Sequence, residues 1–128
     1  MKTWLITGCS SGLGRGIAMA ALKRGEKVAV TARDVKKLRE FTKKYPKQVL
    51  TLKLDLQDNK SMEQAVWDTY ECFGSIAGLV NNAGHAYRAT VEERGPEKIR
   101  ELFETNFFAP AELIQMVLPF MRSEKSGF

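Results

Sequence analysis

Residues 3–16 read Thr-Trp-Leu-Ile-Thr-Gly-Cys-Ser-Ser-Gly-Leu-Gly-Arg-Gly, a short apolar run that breaks into glycines and restarts at helical spacing. Trp4, Leu5 and Ile6 fit a buried strand, and Leu13, Ile17, Ala20 and Ala21 recur at the period of a helix. Gly8, Gly12 and Gly14 punctuate the turn between them. A strand that passes through glycines into a helix is a device for holding a pyrophosphate. Glycine permits the tight turn and lets a phosphate approach the main chain. The unpaired N–H groups of the helix's first turn, at the positive end of its dipole, then face the anion. The spacing is G-x-x-x-G-x-G, which differs from the G-x-G-x-x-G of many dinucleotide folds. It also lacks the Gly-Lys-Ser/Thr of a P-loop. Taken alone, the same residues also suit a plain glycine-rich turn.

The remaining chain alternates strand and helix. Residues 2–7 are expected to form the first strand and 12–25 the first helix, closed by Gly25. Val28, Ala29 and Val30 carry a second strand, and Asp34 caps a second helix with Val35, Leu38, Phe41 and Tyr45 on its apolar face. Pro46 ends that helix. Val49, Leu50, Leu52 and Leu54 give strand three. Asn59 or Ser61 starts a third helix, with Met62, Ala65, Val66, Thr69 and Phe73 on one side. Ile76 to Val80 form strand four. Four strands alternating with three helices imply an α/β domain built on a parallel sheet with right-handed crossovers. A length of 128 residues suits one domain with its own core.

Composition excludes several classes. No stretch approaches the roughly 18 apolar residues of a membrane span. The net charge of +5 comes from scattered basic residues, with Lys36-Lys37 and Lys43-Lys44 as pairs on one helix face, so nucleic-acid binding is not expected. Cys9 and Cys72 lie far apart and no secretory leader opens the chain, which suits reduced thiols in a cytoplasm. His85 has no companion ligand, so no metal site is expected. Cys9 reads as a small loop residue, since no histidine stands near it to activate a thiolate.

In a parallel sheet the carboxyl ends of the strands carry the site. An acid about 20 residues past the glycines would accept from a free ribose 2′-hydroxyl. Here strand two ends Thr31-Ala32-Arg33, so an alanine holds that position and a guanidinium suited to a 2′-phosphate follows. The preference read from this is NADP over NAD, against the bland reading of Arg33 as a surface charge. Asp34 is a better helix cap than a ribose ligand. Strand three ends Leu54-Asp55-Leu56, where a carboxylate can accept from an adenine amino group and the Asp55-Leu56 backbone adds polar contacts. A turn residue is the simpler alternative. Strand four ends Asn81-Asn82-Ala83-Gly84: two amides that can satisfy backbone groups, then two small residues that leave room for a ring or sugar.

Thr7-Gly8-Cys9-Ser10-Ser11-Gly12-Leu13-Gly14, Asp55 and Asn81-Asn82-Ala83-Gly84, in this order, resemble the short-chain dehydrogenase/reductase family. The likeness extends over the whole chain and implies a Rossmann-type three-layer fold with strand order 3-2-1-4. It implies that Gly8, Ser10, Ser11, Gly12, Leu13 and Gly14 hold the pyrophosphate and that Asp55 and Leu56 meet the adenine. Asn82, Ala83 and Gly84 would lie at the nicotinamide-side ribose. Arg33 matches the family's NADPH-selecting arginine. Ser11 stands where some NADP-dependent members carry a second basic residue, which leaves Arg33 largely alone.

Pro96 opens a helix, and Asn106, within Thr105-Asn106-Phe107-Phe108, matches the family's active-site asparagine, which supports a helix distortion and a proton-relay water. The family's catalytic serine and Tyr-x-x-x-Lys have no match. Tyr45, Tyr70 and Tyr87 are followed four residues on by Val49, Gly74 and Val91. Members run to about twice this length. The resemblance therefore implies an NADP(H)-dependent oxidoreductase acting on a small carbonyl or alcohol, of which residues 1–128 are a single cofactor-binding domain, inactive alone. The alternative is a catalytically silent NADP(H)-binding sensor or scaffold. Leu102, Phe103, Phe107, Phe108, Leu113, Ile114, Val117, Leu118 and Phe120 crowd the last helices on more than one face. The expectation is a homo-oligomer through those helices and an open edge at strand four.

Overall fold

The computed structural model describes all residues, 1–128. Four parallel strands form one sheet in the order β3-β2-β1-β4, made by β1 (Thr3–Ile6), β2 (Lys27–Ala32), β3 (Val49–Lys53) and β4 (Gly78–Val80). Leu5 lies opposite Ala29 on one side and Leu79 on the other, so β1 is the centre of the sheet. Helices α1 (Gly12–Lys23) and α2 (Arg39–Lys44) follow β1 and β2, and α3 (Asn59–Phe73) follows β3. Helices α4 (Pro96–Phe103) and α5 (Ala109–Ser123) come after β4, joined by a π-turn at Glu104–Phe108. This is the Rossmann-type order that the family resemblance implies.

Each face of the sheet has its own core. Ile6, Val28 and Val30 point to the side of α1 and α2, where they meet Ala18, Leu22, Leu38 and Phe41. Leu5 and Ala29 point the other way, against Met62, Ala65 and Val66 of α3 and Leu113 and Val117 of α5. Strand alternation puts successive residues of β1 into different layers. Burying a side chain such as Leu113 contributes about 1.5–3 kcal/mol.

Several element ends depart from the sequence reading, among them the first strand, Thr3–Ile6 where 2–7 is expected, and the fourth, Gly78–Val80 where Ile76 to Val80 is expected. The second helix is not continuous: the Asp34 carboxylate accepts from the Lys36 N–H at 3.0 Å, which tightens Val35–Leu38 into a 3₁₀ turn before α2 begins. Helix α3 starts at Asn59, the first of the two expected starts, and Asp58 caps it by accepting from the Lys60 N–H. The Ser61 hydroxyl instead accepts from the Asp55 N–H at 2.9 Å. Helix α1 stops at Lys23, and Gly25 follows its cap with φ +83°. The edge of β4 is also not wholly open. The Phe128 N–H donates to the Ala77 carbonyl at 2.9 Å and the Leu79 N–H to the Phe128 carbonyl at 3.1 Å. Phe128 stacks on Trp4, and the Lys2 ammonium lies 4.2 Å from its ring centre.

Candidate functional site

A cleft of about 790 Å³ opens at the carboxyl ends of the strands. Its position follows from topology. The chain steps outward from β1 to β3 and then returns to the far side of β1, so the connections after β1 and β4 diverge and leave a crevice. The volume suits a large organic ligand.

Between β1 and α1 the loop is laced to its neighbours. The Cys9 N–H donates to the Thr31 carbonyl at 2.8 Å, and the Cys9 thiol donates to the Ile6 carbonyl. Burial pushes that thiol up to about 11, against a smaller opposing pull from the Thr31 backbone. It is a packing residue, held as a thiol. The Asn82 amide donates to the Thr7 and Gly8 carbonyls, both at 3.0 Å. The Thr7 hydroxyl accepts from the Asn82 and Ala83 N–H groups at 3.0 and 2.9 Å. Gly14 is buried where these groups meet: a Cβ there would stand 2.2 Å from the Gly8 oxygen. Gly12 has φ +59° with open space where a side chain would project. Ser11, the residue before α1, is extended and its hydroxyl caps nothing. The first-turn N–H groups of α1 are therefore left to an outside acceptor. This uncapped, positive helix end, held against the cleft by the close packing at Gly14, fits a phosphate-bearing ligand.

The cleft gathers Gly8, Ser10, Ser11, Leu13, Arg33, Asp55, Leu56, Asn82, Ala83 and Gly84 along its walls. Gly12 and Gly14 shape the loop behind the wall. Arg33 is exposed just past β2 and takes part in none of the ion pairs, which are Arg15–Glu40, Lys44–Glu40 and Lys98–Glu101. Asp55 is a turn residue as well as a wall residue, since its Oδ1 accepts from the Gln57 N–H at 2.9 Å. Asn106 stands in the π-turn, and its side chain grips both backbone groups of His85. Oδ1 accepts from the His85 N–H at 3.1 Å, and Nδ2 donates to the His85 carbonyl at 2.7 Å.

Gln57, Glu101 and Thr105 also line the cleft, and nothing in the sequence reading pointed to them. The four-residue spacing of Glu101 and Thr105 puts them on one helix face, but only the fold shows what that face meets. No three His, Cys, Asp or Glu side chains group to hold a metal ion. No helix is long and apolar enough to cross a membrane.

The fold and the cleft define a Rossmann-type α/β protein with its site at the switch point between β1 and β4. The chain belongs to the short-chain dehydrogenase family, whose model matches residues 2–128. It is 40% identical over 127 residues to Oxidoreductase BOA17 of Botryotinia fuckeliana, covering 98% of this chain and 46% of that protein. A short-chain dehydrogenase from Streptomyces avermitilis superposes with a TM-score of 0.95 at 39% identity, over 98% of this chain and 46% of its own. L-Sorbose reductase from Gluconobacter frateurii, solved with NADPH and L-sorbose, superposes at 0.91 with 32% identity, over 98% and 49%. The chain thus spans less than half the length of these proteins.

Proposed function

We propose that residues 1–128 form the cofactor-binding domain of an NADP(H)-dependent oxidoreductase that interconverts a small carbonyl compound and its alcohol. The observation that carries the choice of cofactor is Arg33. It stands unpaired at the end of β2, after Ala32 where an acid would select a 2′-hydroxyl. The NADPH in L-sorbose reductase supports the same reading. In it, the first turn of α1 with Ser10, Ser11 and Leu13 takes the pyrophosphate, and Arg33 takes the 2′-phosphate. Asp55 and Leu56 border the adenine, and Asn82, Ala83 and Gly84 border the second ribose. The dinucleotide supplies or accepts the hydride when bound. Asn106, through His85, shapes the floor beside that end of the cleft, and no Tyr-x-x-x-Lys stands among these residues.

One observation favours a second reading: none of Tyr45, Tyr70 and Tyr87 has a lysine four residues on. On that ground the chain by itself is a silent NADP(H)-binding module. The half-exposed Phe103, Phe107 and Phe108 favour self-association through the last helices in either case.

Titration of the chain with NADPH and NADH, followed by nicotinamide fluorescence, tests the cofactor. A charge-assisted contact of about 1.5–3 kcal/mol gives a roughly 10- to 100-fold preference for NADPH, lost in Arg33→Ala. Equal affinities in the unmodified chain, or an undiminished preference in Arg33→Ala, would refute the assignment.

A further inference from the structure

The loop between β3 and α3 does more than carry Asp55. The Gln57 amide crosses the cleft mouth and donates to the Thr105 hydroxyl at 2.7 Å and the Glu101 carbonyl at 3.3 Å. Two residues on, the Asn59 amide donates to Glu112 Oε2 at 3.1 Å. These ties reach the π-turn itself at Thr105, its N-terminal side at Glu101 and α5 beyond it at Glu112. The Glu101 carbonyl already accepts from the Glu104 N–H, and its second lone pair takes the Gln57 amide. A π-turn is a local widening that tertiary contacts must hold in register. The residue after Thr105 is Asn106, whose side chain grips both backbone groups of His85.

A continuous set of bonds therefore spans the site. Asp55 Oδ1 holds the Gln57 backbone, Gln57 holds Thr105, and Asn106 holds the segment that follows Asn82, Ala83 and Gly84. We infer that Gln57 is a positioning residue: its amide sets the register of the π-turn that aims Asn106 at His85. It thereby couples the β3 end of the cleft to the β4 end. Naming these ends adenine and nicotinamide rests on the NADP(H) reading above; the clasp itself does not. Binding at the β3 loop then firms the floor at the β4 end before any chemistry occurs there.

The test uses the full 128-residue chain and its Gln57→Ala and Gln57→Glu variants. The glutamate keeps the size of the side chain and removes both donors. Amide hydrogen exchange reads the clasp without ligand. The His85 N–H is expected to exchange about fivefold faster in both variants, with the Cys9 N–H unchanged. Titration with NADPH and with 2′,5′-ADP, which reaches only the β3 end, reads the coupling. NADPH should weaken about fivefold and 2′,5′-ADP by less than about twofold, the scale of losing one shared hydrogen bond. Unchanged exchange at His85 overturns the proposal, and so does equal weakening of the two ligands, which would mean that the β3 loop had merely lost its shape. If the unmodified chain binds neither ligand, the NADP(H) reading fails, and the His85 exchange alone then upholds or overturns the clasp.

Discussion

Gly14 and Gly16 lie on the same helix two residues apart, and an alanine at each should act in opposite directions. At Gly14 the added Cβ would stand 2.2 Å from the Gly8 carbonyl oxygen and 2.3 Å from Asn82 Nδ2. Neither partner is a flexible side-chain end: one is backbone, and the other is tied to Thr7 and Gly8. Relief requires both that α1 back away from the Gly8 carbonyl and that Asn82 release its two bonds. Overpacking costs about 2 kcal/mol and the two bonds about 1 kcal/mol each, offset by about 1 kcal/mol of helix propensity. The net is a loss of about 3 kcal/mol, or roughly 10 °C in Tm for a domain of this size. At Gly16 nothing lies within 4 Å of the added atom. That variant keeps only the propensity gain, about 0.5–1 kcal/mol, and should melt a few degrees higher. Thermal unfolding by circular dichroism, with urea titration to check that m is unchanged, measures both. A Gly14→Ala chain that melts at or above the unmodified one would show that the strand–helix turn is not close-packed through Gly14.

Cys9 is buried with its thiol pushed up to about 11, whereas Cys72 is exposed. An aromatic disulfide reagent near neutral pH should therefore titrate one thiol in the native chain and the second only with unfolding; two native thiols would contradict the packing of the loop. Arg15 holds Glu40 through Nη2, which donates to both carboxylate oxygens at 2.5 and 2.6 Å, and Nε, which donates to Oε2 at 3.2 Å; this pair with Lys44 lowers the Glu40 carboxyl below its usual range. A lowered folded pKa makes the contribution complete above the ordinary glutamate value, about 4.5, and lost as pH falls through the folded one. The difference in Tm between the chain and Glu40→Gln should accordingly vanish in acid and shrink with added salt. A difference that persists below the folded pKa would point to packing in place of charge.

Local periodicity made much of this fold legible. Leu5 and Ile6, one residue apart, announce a strand buried on both faces, and Met62, Ala65, Val66 and Thr69 mark the inner side of α3. Glycine spacing located the loop because the close approach at Gly14 penalises any side chain there. What stayed hidden depends on contacts between distant residues. Whether α3 starts at Asn59 or Ser61 is decided by Asp58 capping it from outside while the Ser61 hydroxyl is taken by the Asp55 backbone. The break between Val35–Leu38 and α2 turns on a single Asx bond at Asp34. Gln57 meets Glu101 and Thr105 across more than forty residues of chain; the π-turn at Glu104–Phe108 is implied as a helix distortion by the resemblance at Asn106, not by any local propensity.

The residues of the cleft are not equally informative about ligand binding, because some of them also hold the fold. Opening a crevice between β1 and β4 leaves the Thr7 and Gly8 carbonyls beyond the end of the ladder, and the Asn82 amide donates to both. A leucine there would fill the space and orphan two acceptors, at about 1–3 kcal/mol each. Loss of binding in an Asn82 variant would thus report a damaged loop as readily as a missing ligand contact. Asp55 carries the same ambiguity through its bond to the Gln57 N–H. Arg33 does not, since its side chain is exposed and free of ion pairs within the chain. Removing it leaves the architecture intact, so a change in nicotinamide preference at Arg33 can be assigned to the 2′-phosphate alone.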